Sequence, residues 1–220
     1  MTIKENYQQI RAEVPDHVTI VAAVKTRTTD ELKMLIDAGI ADIGENYIQE
    51  AEEMRKALGD DARRVRWHFI GHLQTNKINK ALELFDVIQT LDSVKLARAI
   101  DKRAETVMSI LIEINSGREP QKTGLLPEDA EQAIREIAPL ENLSIKGLMT
   151  MGPRFGNPED ARPHFRETKN LFDHITSLNI PGVEMDVLSM GMSNAYGIAI
   201  EEGSTLIRPG TLLFGERMSC

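Results

Sequence analysis

The chain has 220 residues, and its 26 lysines and arginines against 34 aspartates and glutamates give a formal net charge of −8. This length fits one large domain or two small ones. Because no linker or composition shift divides the chain, we expect a single domain over residues 1–220. The acidic balance argues against a nucleic-acid-binding surface. The polar N-terminus, the lack of an apolar run of about 20 residues and the single cysteine, Cys220, favour a reducing, cytoplasmic location without a membrane segment.

Short β-rich runs alternate with segments of helical periodicity along the whole chain. Residues 19–24 form a continuous apolar run, which is typical of a strand buried on both faces. The following helix is predicted to begin at a capping box made by Thr28 and Glu31 and to end at Gly39. The later strands are predicted, in chain order, over residues 40–43, 65–70, 86–91, 107–114, 143–149, 183–190 and 205–208.

Helices are predicted between these strands, among them 46–58, one opened by Asp92 or Ser93, 158–178 and 195–202, and one more precedes the first strand. Strands that alternate with helices imply parallel strands joined by right-handed crossovers. Eight such units favour a closed (β/α)8 barrel of the TIM type with an extra N-terminal helix. An open, doubly wound sheet is the alternative. The Gly/Pro-rich residues 152–158 are predicted to form a loop.

In both architectures the functional residues gather at the carboxyl ends of the strands. Lys25 directly follows the first apolar strand. A lysine that is partly desolvated there has a lowered pKa and a nucleophilic amine, which can form a Schiff base with an aldehyde. An ordinary solvated lysine is the alternative reading of the same position.

Two glycine-plus-hydroxyl turns follow the last two predicted barrel strands. Gly191 permits close backbone approach, and Ser193 is predicted to cap the next helix. Residues 208–211, Arg-Pro-Gly-Thr, form the second turn. Barrels frequently bind phosphate with the loops after strands seven and eight, so the two turns together predict an anion site. Read singly, each is a simple capped turn.

Three further features have both a functional and a structural reading. Asn46 is predicted to cap the helix that follows it, or to hydrogen-bond a ligand. His68 and His72 have the spacing of a metal pair on a helix, but His68 lies in a predicted strand, so no metal site is expected. Arg118 and Lys122 lie in a polar loop after the fifth strand, either solvated or contacting an anion at the mouth of the barrel.

An ordered set of motifs resembles one known family, the pyridoxal phosphate homeostasis proteins of the YggS/PROSC type. The resemblance runs from about residue 21 to residue 215. The motifs are Val24-Lys25-Thr26, Gly44-Glu-Asn-Tyr47, Trp67-His-Phe-Ile-Gly71, Leu73-Gln-Thr-Asn-Lys77, Lys122-Thr-Gly124, Gly147-Leu-Met149, Leu188-Ser-Met-Gly-Met-Ser193, Gly203-Ser-Thr205, Arg208-Pro-Gly-Thr211 and Phe214-Gly215.

The resemblance implies a barrel similar to the alanine racemase N-terminal domain, with pyridoxal 5′-phosphate (PLP) held on Lys25 as an internal aldimine. It also implies that Arg208 faces the pyridine nitrogen, oriented by Ser189, and that Asn46 lies near the ring hydroxyl. The residues it assigns to the phosphate are Gly191, Met192, Ser193, Gly210 and Thr211.

The resemblance leaves open whether the protein is a carrier or an enzyme. An arginine beside the pyridine nitrogen disfavours its protonation and weakens the ring as an electron sink. The racemase also uses a tyrosine from a second domain, and none of the three tyrosines, Tyr7, Tyr47 and Tyr196, matches that motif. We therefore expect a monomeric PLP-binding protein that buffers PLP or delivers it to apoenzymes and so contributes to PLP homeostasis and amino- and keto-acid balance, with no catalytic residues assigned. The alternatives are a weak PLP-dependent racemase or isomerase, and a barrel enzyme acting on a phosphorylated metabolite without PLP.

Overall fold

Eight parallel strands close into a barrel in the computed structural model, which describes residues 2–152 and 156–215. The strands are β1 Thr19–Ala23, β2 Asp42–Glu45, β3 Arg66–Phe69, β4 Val87–Leu91, β5 Met108–Ile114, β6 Leu143–Thr150, β7 Val183–Met192 and β8 Leu206–Arg208. The barrel closes because β1 pairs with β8, with Thr19 opposite Leu206 and Ile20 opposite Ile207. The predicted (β/α)8 barrel is confirmed, and the open doubly wound sheet is excluded.

Helices connect the strands and cover the outside of the barrel, and one helix precedes β1 as predicted. They are α1 Ile3–Glu13, α2 Thr29–Asp37, α3 Ile48–Leu58, α4 Ile78–Leu84, α5 Val94–Asp101, α6 Ala130–Ile137, α7 Arg162–Ser177, α8 Tyr196–Glu201 and α9 Thr211–Phe214. None of the helices in the two described ranges is long and apolar enough to cross a membrane.

Local sequence signals explain where two of these helices begin. At α2 the Thr28 hydroxyl accepts a hydrogen bond from the Glu31 N–H at 3.2 Å, and the Thr28 N–H donates to the Glu31 carboxylate at 2.7 Å. This is the predicted capping box, which satisfies two N–H groups at the start of the helix. At α5 the cap is Ser93, whose hydroxyl accepts from the Leu96 N–H at 3.2 Å. Gly39 follows α2 with a φ of 101°, a left-handed conformation that glycine adopts without strain.

Several predicted boundaries were wrong. β2 is Asp42–Glu45 rather than residues 40–43, because the apolar pattern does not extend to the buried Glu45. β7 continues to Met192. The helix predicted from residue 158 begins with a 3-10 turn, Pro158–Ala161, before α7. Residues 153–155 of the predicted loop and Cys220 lie outside the described residues.

Candidate functional site

The residues that the resemblance assigns to PLP lie on or just after four neighbouring strands, β7, β8, β1 and β2. At their carboxyl ends the Ala23 N–H donates to the Pro209 carbonyl at 2.9 Å, and the Val24 N–H donates to the Gly44 carbonyl at 3.0 Å. On the other side of β8, Met192 of β7 is the register partner of Arg208. One sector of the barrel mouth therefore carries the loops after these four strands.

Lys25 stands at the centre of this sector, half-buried at the end of β1. Its amine donates a hydrogen bond to the Tyr47 hydroxyl at 2.9 Å, and the Nζ atom lies 4.6 Å from the centroid of the Tyr47 ring. The next residue, Thr26, has a φ of 61°, which is rare for a β-branched residue. Its N–H donates to the Glu50 carboxylate at 3.1 Å. The turn that presents the lysine is thus held by contacts with the segment after β2.

Ser193 joins the loop after β7 to the turn after β8. Its hydroxyl accepts hydrogen bonds from the N–H groups of Gly210 at 3.0 Å and Leu212 at 3.4 Å. The prediction that Ser193 caps the helix following β7 was wrong. That helix, α8, has Ala195 at its N-cap position and no side-chain cap. The residue instead caps the turn at the start of α9, a contact between segments that no local sequence pattern predicts.

The glycines of these two turns have different spatial constraints. Gly191 has a φ of 89°, and an added Cβ would lie 2.6 Å from the Ala199 Cβ. This residue therefore permits close packing of the β7 end against α8. Gly210 is less crowded, since an added Cβ would lie 3.4 Å from the Ala23 carbonyl oxygen. Met192 is half-buried and Thr211 is exposed at the start of α9.

Arg208, the last residue of β8, is buried inside the barrel, and its guanidinium donates hydrogen bonds to two acceptors. One nitrogen donates to the Ser189 hydroxyl and another to the Thr150 carbonyl at 2.9 Å. Burial lowers the pKa of Arg208 to about 10, although the Glu113 carboxylate acts in the opposite direction. Within the described residues Arg208 has no carboxylate at ion-pair distance. The site thus contains a buried cation that is held by neutral acceptors.

Two buried carboxyl groups at the mouth were missed by the sequence analysis. Glu45 accepts hydrogen bonds from the N–H groups of Asn46 at 2.6 Å and Tyr47 at 3.1 Å. Glu113, at the end of β5, accepts from the Thr123 hydroxyl at 3.0 and 3.1 Å. Burial raises the pKa of each carboxyl to about 7. Their positions at or next to strand ends were the signal that could have identified them.

Asn46 does not cap α3, contrary to one of the two readings. The N-cap of α3 is Tyr47, without a side-chain hydrogen bond, and the Asn46 amide donates to the Ile70 carbonyl at 3.4 Å. The Asn46 backbone packs closely on Gly71. A Cβ added at Gly71 would lie 2.1 Å from the Asn46 carbonyl oxygen. A cavity of about 380 Å³ lies beside Asn46 and Tyr47, and neither Lys25 nor Arg208 lines it.

The two histidines have separate partners. His68 is buried and contacts Asp42 at 2.9 Å and Gln89 at 2.9 Å, whereas His72 lies near Asp92 at 3.5 Å, mostly exposed. Among the residues that the structure describes, no three His, Cys, Asp or Glu side chains cluster as metal ligands.

The two cationic side chains of the loop after β5 form ion pairs with nearby carboxylates. Arg118 pairs with Glu167 at 2.7 Å and Glu128 at 3.1 Å. Lys122 pairs with Glu119. Both side chains are therefore engaged in ion pairs, which disfavours the interpretation that they contact an anion at the mouth.

Similarity to known proteins extends over almost the whole chain. The sequence matches the family described as the alanine racemase N-terminal domain over residues 1–218. It is 40% identical over 201 residues to the pyridoxal phosphate homeostasis protein of Aquifex aeolicus, covering 90% of this chain and 86% of that protein. The chain belongs to the pyridoxal phosphate homeostasis protein family.

Similar proteins of known structure share the same fold. PipY of Synechococcus elongatus superposes without PLP at a TM-score of 0.91 and 30% identity, covering 97% of this chain and all of that one. The PLP-bound structure of PipY superposes at a TM-score of 0.89 and 29% identity. An alanine racemase of Clostridium difficile shares the fold at a TM-score of 0.83 and 16% identity, and this chain covers 57% of its length.

Proposed function

We propose that this chain binds PLP at the β7–β8–β1–β2 sector of the barrel mouth, with the cofactor on Lys25, and contributes to PLP homeostasis and amino- and keto-acid balance. Two findings support the proposal. The relatives are named as pyridoxal phosphate homeostasis proteins, and PipY, with the same fold, has a structure with PLP bound. The observation that carries it in this chain is the Lys25 amine, presented at the end of β1 beside the turn after β8.

The donor set of the sector fits the cofactor. PLP needs an amine for its aldehyde, N–H and hydroxyl donors for its phosphate, and a partner for its ring nitrogen. Lys25 provides the amine, and the turns that Ser193 joins after β7 and β8 provide hydroxyl and backbone donors. Barrels commonly use the loops in these two places for phosphate. Arg208 provides the buried guanidinium. When bound, the cofactor supplies an aldehyde carbon to which the lysine amine adds with loss of one water molecule.

Each residue then has a defined part in the proposal. The Tyr47 hydroxyl accepts from the Lys25 amine and holds it at the mouth. The phosphate is assigned to Ser193 with the backbone of Gly191 and Met192 on one side, and to Gly210 and Thr211 on the other. Arg208, held by Ser189, is assigned to the ring nitrogen, and Asn46 to the ring hydroxyl.

The charge on Arg208 favours a carrier over a catalyst. A guanidinium beside the ring nitrogen disfavours protonation of that nitrogen, because two positive charges repel. PLP catalysis depends on the ring as an electron sink, which protonation strengthens. In this proposal Arg208 therefore disfavours the protonated ring nitrogen that catalysis uses, which suits a protein that stores and transfers the cofactor.

A second candidate function is a weak PLP-dependent amino-acid racemase or isomerase. One contact favours it, since the Tyr47 hydroxyl at 2.9 Å from the Lys25 amine places a second acid–base group at the mouth. Exchange of the Cα proton for deuterium in a panel of amino acids distinguishes the two. The carrier predicts exchange no faster than with free PLP, and robust exchange that depends on Tyr47 would establish the enzyme.

Delivery of PLP to apoenzymes, a monomeric state and a cytoplasmic location are finer parts of the same proposal. The single cysteine fits a reducing compartment and so supports the location.

Titration with PLP, followed by absorption, tests the proposed function. The wild-type protein should develop the visible band of a lysine-bound cofactor, and Lys25→Ala should lack it. Lys33→Ala is the matched control, because Lys33 pairs with Asp61 on the outside of the barrel and should leave the band unchanged. A full band in Lys25→Ala would refute the assignment of the anchor.

A further inference from the structure

A continuous chain of polar side chains crosses the interior of the barrel and ends on Arg208. Ser189 donates a hydrogen bond to the Gln89 carbonyl oxygen at 2.8 Å, and the Gln89 amide contacts His68 Nδ1 at 2.9 Å. His68 Nε2 contacts the Asp42 carboxylate at 2.9 Å. Together with the Arg208–Ser189 hydrogen bond, these contacts form the relay Arg208–Ser189–Gln89–His68–Asp42.

All five relay residues are buried, with exposed fractions between 0 and 4%. They come from five different strands, and the Ser189–Gln89 contact spans from β7 to β4 across the barrel. Barrel interiors are usually filled by layers of branched apolar side chains. A buried polar network is stable only when each of its groups has a partner. Here no buried side-chain nitrogen or oxygen among the described residues lacks one.

The chemistry of the two ends fixes the direction of every hydrogen bond. An arginine can only donate, so the Ser189 oxygen accepts from Arg208 and its own hydrogen points to Gln89. Gln89 must receive it on its carbonyl oxygen, which turns the amide NH2 towards His68. His68 Nδ1 then accepts, and the ring proton lies on Nε2, which donates to the Asp42 carboxylate.

The opposite orientation of Gln89 is less favourable. It would leave the Ser189 hydrogen without its acceptor and would need a proton on both ring nitrogens of His68. The first orientation instead aligns all three neutral groups, with their negative ends towards Arg208 and their positive ends towards Asp42. Aligned dipoles between two buried opposite charges stabilise both in a low-dielectric interior.

The far end of the relay is anchored near the surface. Burial alone would raise the pKa of Asp42, but hydrogen bonds from His68 and from Arg66 hold it below its ordinary value. The Arg66 guanidinium contacts Asp42 at 2.7 Å and is more than half exposed. Asp42 therefore remains a carboxylate and can serve as the negative end of the relay.

We propose that His68 is a positioning residue which, as the Nε2–H tautomer, connects Asp42 to Arg208 through Gln89 and Ser189 and so fixes the guanidinium that meets the ring nitrogen of the cofactor. The relay compensates the charge of Arg208 in place of a direct ion pair. The positioning role of the relay rests on the proposed PLP site. The tautomer of His68 and the directions of the hydrogen bonds do not depend on that site.

The first test is the ¹⁵N spectrum of the histidine rings in the full-length protein without added PLP. His68→Gln assigns the signals, and the expected result is a non-protonated Nδ1 and a protonated Nε2 for His68. A proton on Nδ1 would overturn the relay. This readout is independent of the cofactor, so it separates failure of the relay from failure of the proposed function.

The second test is PLP titration of Asp42→Asn and His68→Gln, followed by absorption and affinity. Both variants keep Lys25, so they should keep the visible band, with a shifted maximum and an affinity weaker by about tenfold. His174→Gln is the matched control, because His174 makes the same histidine–carboxylate contact with Glu131 at 2.8 Å on the surface. Folded relay variants with the wild-type maximum and affinity would refute the positioning role.

Discussion

Replacement of Glu113 by glutamine removes a titratable carboxyl from the mouth of the barrel while keeping its shape. The Thr123 hydroxyl, which contacts both carboxyl oxygens, can still hydrogen-bond to the amide of glutamine. Burial raises the pKa of Glu113 to about 7 from an ordinary value of 4.5, with the nearby Asp92 acting in the same direction. The folded chain should therefore hold a proton at this position over a range in which the unfolded chain has lost it.

The sign and size of the effect follow from proton linkage. Between the two pKa values the folded state binds more protons than the unfolded state, so stability falls as pH rises. A pKa difference from 4.5 to about 7 corresponds to roughly 2–3 kcal/mol lost between about pH 5 and pH 8. Glu113→Gln lacks this loss, so its free energy of unfolding should rise relative to wild type by the same amount over that range.

Urea denaturation at a series of pH values measures this difference. Taking the variant minus wild type at each pH cancels the contributions of all other titrating groups. Glu141→Gln, at an exposed surface position, is the matched control and should give a constant difference. A difference for Glu113→Gln that is equally flat would refute the conclusion that the mouth keeps this carboxyl protonated.

Two other substitutions give direct expectations. Gly191→Ala should lower the free energy of unfolding by about 2–4 kcal/mol, because the φ of 89° disfavours a side chain and the new Cβ would meet Ala199. Gly197 lies in α8, and an added Cβ there would have nothing within 4 Å. Gly197→Ala should therefore not lower the free energy of unfolding in the same denaturation assay. Equal losses in the two variants would contradict the packing argument. Arg118→Gln should leave PLP affinity unchanged within about twofold in a titration, because ion pairs with Glu167 and Glu128 occupy the Arg118 guanidinium. A large loss of affinity would instead indicate that Arg118 contacts an anion at the mouth of the barrel.

The fold could be predicted from the sequence because parallel strands leave a clear pattern. β1 appears in the sequence as a continuous apolar run, and β5 as a mostly apolar run, each followed by a helical segment. The count of eight strand–helix units then favoured a barrel. Closure itself depends on pairing between β1 and β8, a long-range contact that no local pattern contains.

The site could be predicted in part, because residues that follow strands share one end of a barrel. This rule selected Lys25, Ser193 and the turn after β8, and the structure brings their segments together. It could not give the acceptor role of Ser193 towards Gly210, which depends on how two loops pack. Asp42 and Gln89 lie within predicted strands, but an apolar pattern does not indicate which polar residues of a strand are buried inside the barrel.

Borohydride reduction of the PLP-saturated protein, followed by peptide mapping, identifies the lysine that carries the cofactor. Reduction converts a carbon–nitrogen double bond into a stable single bond, so it marks the lysine that carried the cofactor. One modified peptide is expected, with the added mass on Lys25, which lies at the mouth in contact with Tyr47. An adduct on a different lysine, or no adduct at all, would refute Lys25 as the anchor of the cofactor.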